Sequence, residues 1–88
     1  MKEKRREARR VTTGDVELFV EEPLACRIPA RLLDASARGF SVAHHFAGLA
    51  TGQEIRYRSK GRQGRAHVAW TRVLESHVES GFALIQSP

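Results

Sequence analysis

Four arginines stand within six residues of one another near the start of the chain: Arg5, Arg6, Arg9 and Arg10. Arg5 with Arg9 and Arg6 with Arg10 are pairs at spacing four. A helical turn would put each pair on one face, and a loop would let it fold around a single ligand. Guanidinium groups so grouped bind anions through parallel charge-assisted hydrogen bonds. Further along, Asp34-Ala-Ser-Ala-Arg-Gly39 sets an acceptor, a hydroxyl and a flexible backbone inside six residues. Taken singly, neither segment demands a ligand. Arginine pairs are common in basic tails, and an Asp-x-Ser turn commonly closes on its own backbone.

The charge distribution gives the arginines more weight. The chain has 88 residues and a formal net charge of +5. Residues 1–10 alone carry +4, and residues 11–88 carry +1. A nearly neutral body with a basic head attracts something anionic: nucleic acid, a lipid surface or a phosphorylated small molecule. Length allows one small domain with one core. Hydrophobic residues make up 41% and charged residues 28%, the balance of a folded domain rather than a disordered one. No apolar run approaches the roughly 20 residues of a membrane-spanning helix, and the charged start is unlike a secretory leader. A single cysteine, Cys26, rules out an intramolecular disulfide and a cysteine-rich zinc module, and it suits a reducing cytosol.

The elements that must position these residues read as short strands. In Asp15–Val20, Val16, Leu18 and Val20 share one side, Phe19 interrupts the polar face, and Pro23 ends the run. Ala25–Leu33 is a second strand, which Pro29 assigns to an edge, a bulge or a barrel corner. Gly39–Ala43 is a third, followed by a loop over Phe46–Gly52. Gln53–Arg58 alternates cleanly as a fourth. A glycine-rich polar turn, Ser59–Gly64, leads to a fifth strand, Arg65–Val73, with Ala66, Val68, Trp70 and Arg72 on one face. Val78–Ile85 is the last. No segment keeps a helical period over three turns. Six short strands at regular spacing predict an all-β fold, a small antiparallel barrel of residues 11–88 behind a flexible basic segment of residues 1–10.

In this order the two motifs resemble the PilZ domain, a bacterial receptor domain for the second messenger cyclic di-GMP. The match is Arg6-Glu-Ala-Arg-Arg10 followed by Val11, then Asp34-Ala-Ser-Ala-Arg-Gly39-Phe-Ser-Val42. It continues through the glycine loop before Gln53-Glu-Ile, the Val-Ala-Trp70 strand and the closing Gly81-Phe82 segment, covering essentially residues 5–86. The resemblance implies a split-barrel type of six-stranded antiparallel barrel. It also implies a cytoplasmic bacterial protein, binding by residues Arg6, Arg10, Asp34, Ser36 and Gly39, and no enzymatic activity or cofactor. Arg5 just before the motif is linked in the family to binding a stacked ligand dimer rather than one molecule. Arg9 and Arg38 stand as further candidates, Arg38 either meeting a phosphate or pointing to solvent. The register is open by one residue, since Arg5-Arg6-Glu-Ala-Arg9 keeps the same spacing. Many PilZ domains continue into a C-terminal helix, which is not expected here.

The ligand chemistry fits these residue types. Cyclic di-GMP carries two phosphodiesters and two guanines. Guanine O6 and N7 are adjacent acceptors that one guanidinium fork satisfies with two parallel bonds, whereas lysine cannot. A second guanidinium can clamp a phosphate or stack on a purine. A carboxylate such as Asp34 accepts from the N–H edge of guanine. Ser36 can donate to a phosphate, and Gly39 permits either close backbone approach or a positive φ.

Other chemistries find less support. His44 and His45 are neighbours that a strand points to opposite faces, and with His67 and His77 isolated no metal-ligand spacing emerges. All four histidines read as surface or loop residues. Ser36 has no histidine at a recognisable spacing for nucleophilic catalysis. Cys26 reads as a semi-buried, inert strand cysteine. Trp70 reads as core in preference to a base-stacking platform. Ligand-induced ordering of the N-terminal segment, read by a downstream protein partner, is therefore the expected function. A ligand-free PilZ-type adaptor and a nucleic-acid-binding barrel are the alternatives, with membrane binding not expected.

Overall fold

The computed structural model describes Arg10, Val11 and residues 14–22 and 24–86. Seven strands are formed: β1 (Arg10–Val11), β2 (Asp15–Val20), β3 (Cys26–Ala35), β4 (Gly39–His44), β5 (Glu54–Ser59), β6 (Arg62–Val73) and β7 (Val78–Leu84). All pairings are antiparallel, in the order β1-β3-β2-β5-β6-β7-β4, and β4 returns to pair with β3. β2 to β7 thereby close a six-stranded barrel, and β1 is a short addition alongside β3. Closure removes the open sheet edges that a domain of this size could not otherwise cover. No helix occurs among the described residues, and none there is long and apolar enough to cross a membrane.

Alternation builds the interior. Val16, Leu18 and Val20 of β2 turn inward with Ile28, Val42, Ile55, Ala66, Val68 and Phe82, and Leu49 of the loop after β4 joins them. Each large side chain so buried contributes about 1.5–3 kcal/mol. Phe40 anchors one end of this core, with ring centroids 5.0 Å from Tyr57 and 5.1 Å from Phe82. The outer side of β2, β5 and β6 carries the ion pairs Arg58–Glu17, Arg56–Glu21 (Glu21 just beyond β2) and Arg65–Glu54, each open to solvent on at least one side and so worth little individually. Pro29 lies where β3 has β2 as its only neighbour, because β4 pairs with β3 only from Arg31 onward. A residue without an N–H is tolerated there.

Two bulges break the alternation. On β3 the register shifts between Leu32 and Asp34, so that Asp34 comes opposite Ser41. On β6 it shifts between Val68 and Trp70, pairing Val68 with Phe82 but Trp70 with Gly81. The extra residue, Ala69, reverses the faces beyond it. Trp70 is consequently 41% exposed rather than in the core, and Thr71 turns toward buried Ser80. The predicted Ser59–Gly64 turn is also shorter than expected. Lys60 and Gly61 alone form it, and Arg62, Gln63 and Gly64 belong to β6.

Two further readings are corrected. Cys26 is exposed. His44 is buried, 2% exposed, because β4 is covered on both faces. Its Nδ1 accepts the Phe46 amide N–H at 3.0 Å, so the ring proton sits on Nε2 and is donated to Ser80 Oγ at 2.9 Å. Ser80 in turn lies 2.9 Å from Thr71 Oγ1. Burial, and then the neighbouring His45 and His77, hold His44 below the ordinary imidazole range.

Candidate ligand-binding site

The Asp-x-Ser-x-x-Gly segment is the connection from β3 to β4. Asp34 and Ala35 end β3, Ser36 to Arg38 make the turn, and Gly39 opens β4. The Ser36 amide donates to the Gly39 carbonyl at 2.8 Å, and the Arg38 amide to Ser36 Oγ at 3.2 Å. The hydroxyl thus shapes its own turn, as a Ser/Thr turn does. The bulge at Leu33 aims Asp34 across to β4, where Ser41 Oγ donates to its Oδ1 at 2.9 Å. Gly39 is required by the barrel itself. A Cβ there would lie 2.1 Å from the Phe82 carbonyl oxygen of β7, a close backbone approach that only glycine permits.

Arg10 and this turn are more than twenty residues apart in sequence, yet β1 brings them together. Arg10 pairs with Ala35 and Val11 with Asp34. Such partners stand about 4.5–5.5 Å apart across an antiparallel ladder. Arg10, counted with the basic head from sequence, therefore has its backbone in the sheet, next to the residue preceding Ser36. Arg5, Arg6 and Arg9 lie outside the described residues, so the choice between the two arginine registers does as well.

On either side of Gly39 the surface is hollowed. One depression, of about 240 Å³, is bounded by Ser36, Arg38, Gly39, Trp70 and Gly81. The other, of about 110 Å³, opens at the barrel mouth between Ser36, Gly39, Phe40, Tyr57 and Arg62. Trp70 reaches the first because its indole lies against Gly81. A Cβ on Gly81 would fall 2.2 Å from the indole Nε1. Sequence reasoning assigned Trp70 to the core and missed it here. The glycine opposite a tryptophan was the available signal, but the bulge that aligns them is invisible in the alternation. Ser41, the hydrogen-bond partner of Asp34, was likewise missed.

Larger hollows, of about 600 and 390 Å³, run along the outer face of β2, β5 and β6. Their arginines are already engaged, Arg56 with Glu21, Arg58 with Glu17 and Arg65 with Glu54, at 2.6–2.8 Å. Those surfaces are the poorer anion sites. Among the described residues, no group of three or more His, Cys, Asp or Glu side chains is arranged to hold a metal ion.

No protein-family profile matches the chain, and no curated protein matches it by sequence. Its fold is shared with the inhibitor of motility MotI/DgrA of Bacillus subtilis, with a TM-score of 0.73 at 18% identity. The superposition takes in 96% of this chain but 44% of the other, so the chain spans less than half the length of that protein. The small antiparallel barrel expected from the strand rhythm is thus a known architecture.

Proposed function

We propose that this chain is a PilZ-type receptor module that binds cyclic di-GMP on the barrel face around Ser36, Gly39 and Trp70. The observation that supports this reading is the β1–β3 pairing, which sets Arg10 beside Ala35 at the Asp-x-Ser-x-x-Gly turn. Arg6 and Arg10 hold the guanine Hoogsteen edges and phosphates, and Arg5 and Arg9 extend the same cluster. Asp34, oriented by Ser41, accepts from a guanine N–H edge, while Ser36 and Arg38 meet phosphate oxygens. Trp70 offers an aromatic face to a purine. The site accommodates one ligand or a stacked pair, involves no catalytic step and calls on no cofactor.

Binding draws the arginine segment onto the barrel, and the altered surface is read by a protein partner in the bacterial cytoplasm. The fold shared with a motility inhibitor is in keeping with such an adaptor. A nucleic-acid-binding barrel is less well supported, because Arg27, Arg56, Arg58, Arg65 and Arg72 are each paired with a glutamate and make no open basic track. Calorimetric titration with cyclic di-GMP, GMP and a single-stranded oligonucleotide distinguishes these readings. Saturable binding of cyclic di-GMP alone, abolished by Arg10→Ala, is the expected result. Heat only with the oligonucleotide, growing with its length, would overturn the proposal.

A further inference from the structure

The turn between β5 and β6 brings two more cations to the same end of the barrel. β5 ends at Ser59 and β6 begins at Arg62, and these two residues pair across a two-residue turn of Lys60 and Gly61. Both turn residues have positive φ, 45° at Lys60 and 80° at Gly61, the pattern of a tight type I′ hairpin. Asparagine is the usual residue in the first of these positions, and a lysine takes up the left-handed conformation only at a cost. Ser59 Oγ donates to the Asp15 carbonyl at 3.1 Å and so fastens the hairpin to β2.

Of the two, Arg62 borders the site, and Lys60 stands two residues before it on the turn. Arg62 lines the mouth cavity with Ser36 and Gly39. Among the described residues it has no carboxylate partner, in contrast to Arg65 on the same strand, whose guanidinium meets Glu54 at 2.7 Å. The Lys60 side chain crosses Gly14, on the stretch of chain that leads from β1 into β2. Its Cε and Nζ lie 3.6 and 3.8 Å from where a Cβ on Gly14 would stand. The hairpin therefore presents an ammonium beside Gly14, between β1 and β2, and an arginine that borders the same hollow as the Asp-x-Ser-x-x-Gly turn. A lysine in a strained conformation and, next to the turn, an arginine with no acidic partner among the described residues are well suited to a phosphate.

We infer that Lys60 and Arg62 form a second anion-contacting element of the site, gripping a ligand phosphodiester beside the Asp-x-Ser-x-x-Gly turn. This inference rests on the cyclic di-GMP reading. It adds residues that the two motifs do not contain. It is tested by titrating the parent chain, Arg62→Gln, Lys60→Asn and Arg65→Gln with cyclic di-GMP at low and at physiological salt, each variant first melted to verify its fold. Arg62→Gln is expected to weaken binding about tenfold, the loss of one charge-assisted contact. Lys60→Asn should weaken it less while raising the melting temperature, because asparagine relieves the turn. Arg65→Gln, with the same change of charge, should bind like the parent. Equal affinity of Arg62→Gln and the parent would overturn this inference and leave the receptor reading standing, as would an equal loss in Arg65→Gln, which would indicate bulk charge. No binding by the parent chain would overturn both.

Discussion

Replacing Gly39 by alanine isolates what the glycine of the Asp-x-Ser-x-x-Gly turn is for. The added methyl would lie 2.1 Å from the Phe82 carbonyl oxygen, where ordinary contact begins at 3.4 Å, so β4 and β7 must separate by about 1.3 Å. The obstacle is backbone and cannot rotate away. Separation loosens the ladder at Gly39–Ala83 and Phe40–Phe82, worth about 1 kcal/mol per hydrogen bond. It also disturbs Phe40, which packs between Tyr57 and Phe82, adding roughly 1–3 kcal/mol of overpacking strain. The sum, about 2–4 kcal/mol, is a large part of the stability of so small a domain. At about 4–8 °C per kcal/mol, the melting temperature should fall by roughly 10 °C or more. Gly52→Ala is the comparison, since nothing lies within 4 Å of its Cβ position and only its φ of +89° is unfavourable, at about 1 kcal/mol. Thermal melts followed by circular dichroism give both values. If Gly39→Ala melts at or above Gly52→Ala, the close approach to Phe82 is not what fixes this glycine.

Gly81→Ala should dislodge Trp70 from its strand, because the new methyl would stand 2.2 Å from the indole Nε1. The fluorescence of this single tryptophan should change while the melting temperature moves less than in Gly39→Ala, the indole being free to swing outward. The domain should lose stability as the pH falls below about 6.5. There the unfolded chain protonates His44, whereas the folded chain, with its pKa lowered by burial and by His45 and His77, does not. Denaturant melts across that range check it, and His44→Gln should flatten the dependence at a cost in overall stability. Glu79, held below the ordinary carboxylate range by hydrogen bonds from His77 and then Arg72, acts in a lower window. Its stabilising effect is present above the unfolded carboxylate pKa and disappears in further acid, so Glu79→Gln should reduce the acid sensitivity of the melt there.

Much of the barrel was legible because burial on one face writes an alternation into the chain. Val16, Leu18 and Val20 of β2 and Ile55 of β5 follow it, and the observed strands match the expected ones to within a few residues. β6 misled the reading because Ala66, Val68 and Trp70 continue the apolar alternation through a bulge that only the pairing with β7 imposes. Arg62, Gln63 and Gly64 look like loop by composition, yet ladder bonds to β5 make them strand. His44 looked like a surface residue because its partner Ser80, 36 residues further on, is supplied by tertiary contact. Of the candidate site, both motifs were visible as residue types. Their meeting was implied only by the resemblance and not by periodicity, since β1 is two residues long. Trp70 and Arg62 join the same region through a bulge and a hairpin, neither of which the motifs encode.

Cyclic di-GMP is proposed to bind where β1, the Ser36 turn and Trp70 converge. Amide chemical shifts of the isotopically labelled chain, followed as the ligand is added, test it most directly. Saturable shifts are expected at Ala35 to Gly39, at Ala83 and at the Trp70 indole N–H, with Leu24 and Phe46, far from the turn, unmoved. Shifts centred on Leu24 and Phe46, or none at saturating ligand, would contradict it.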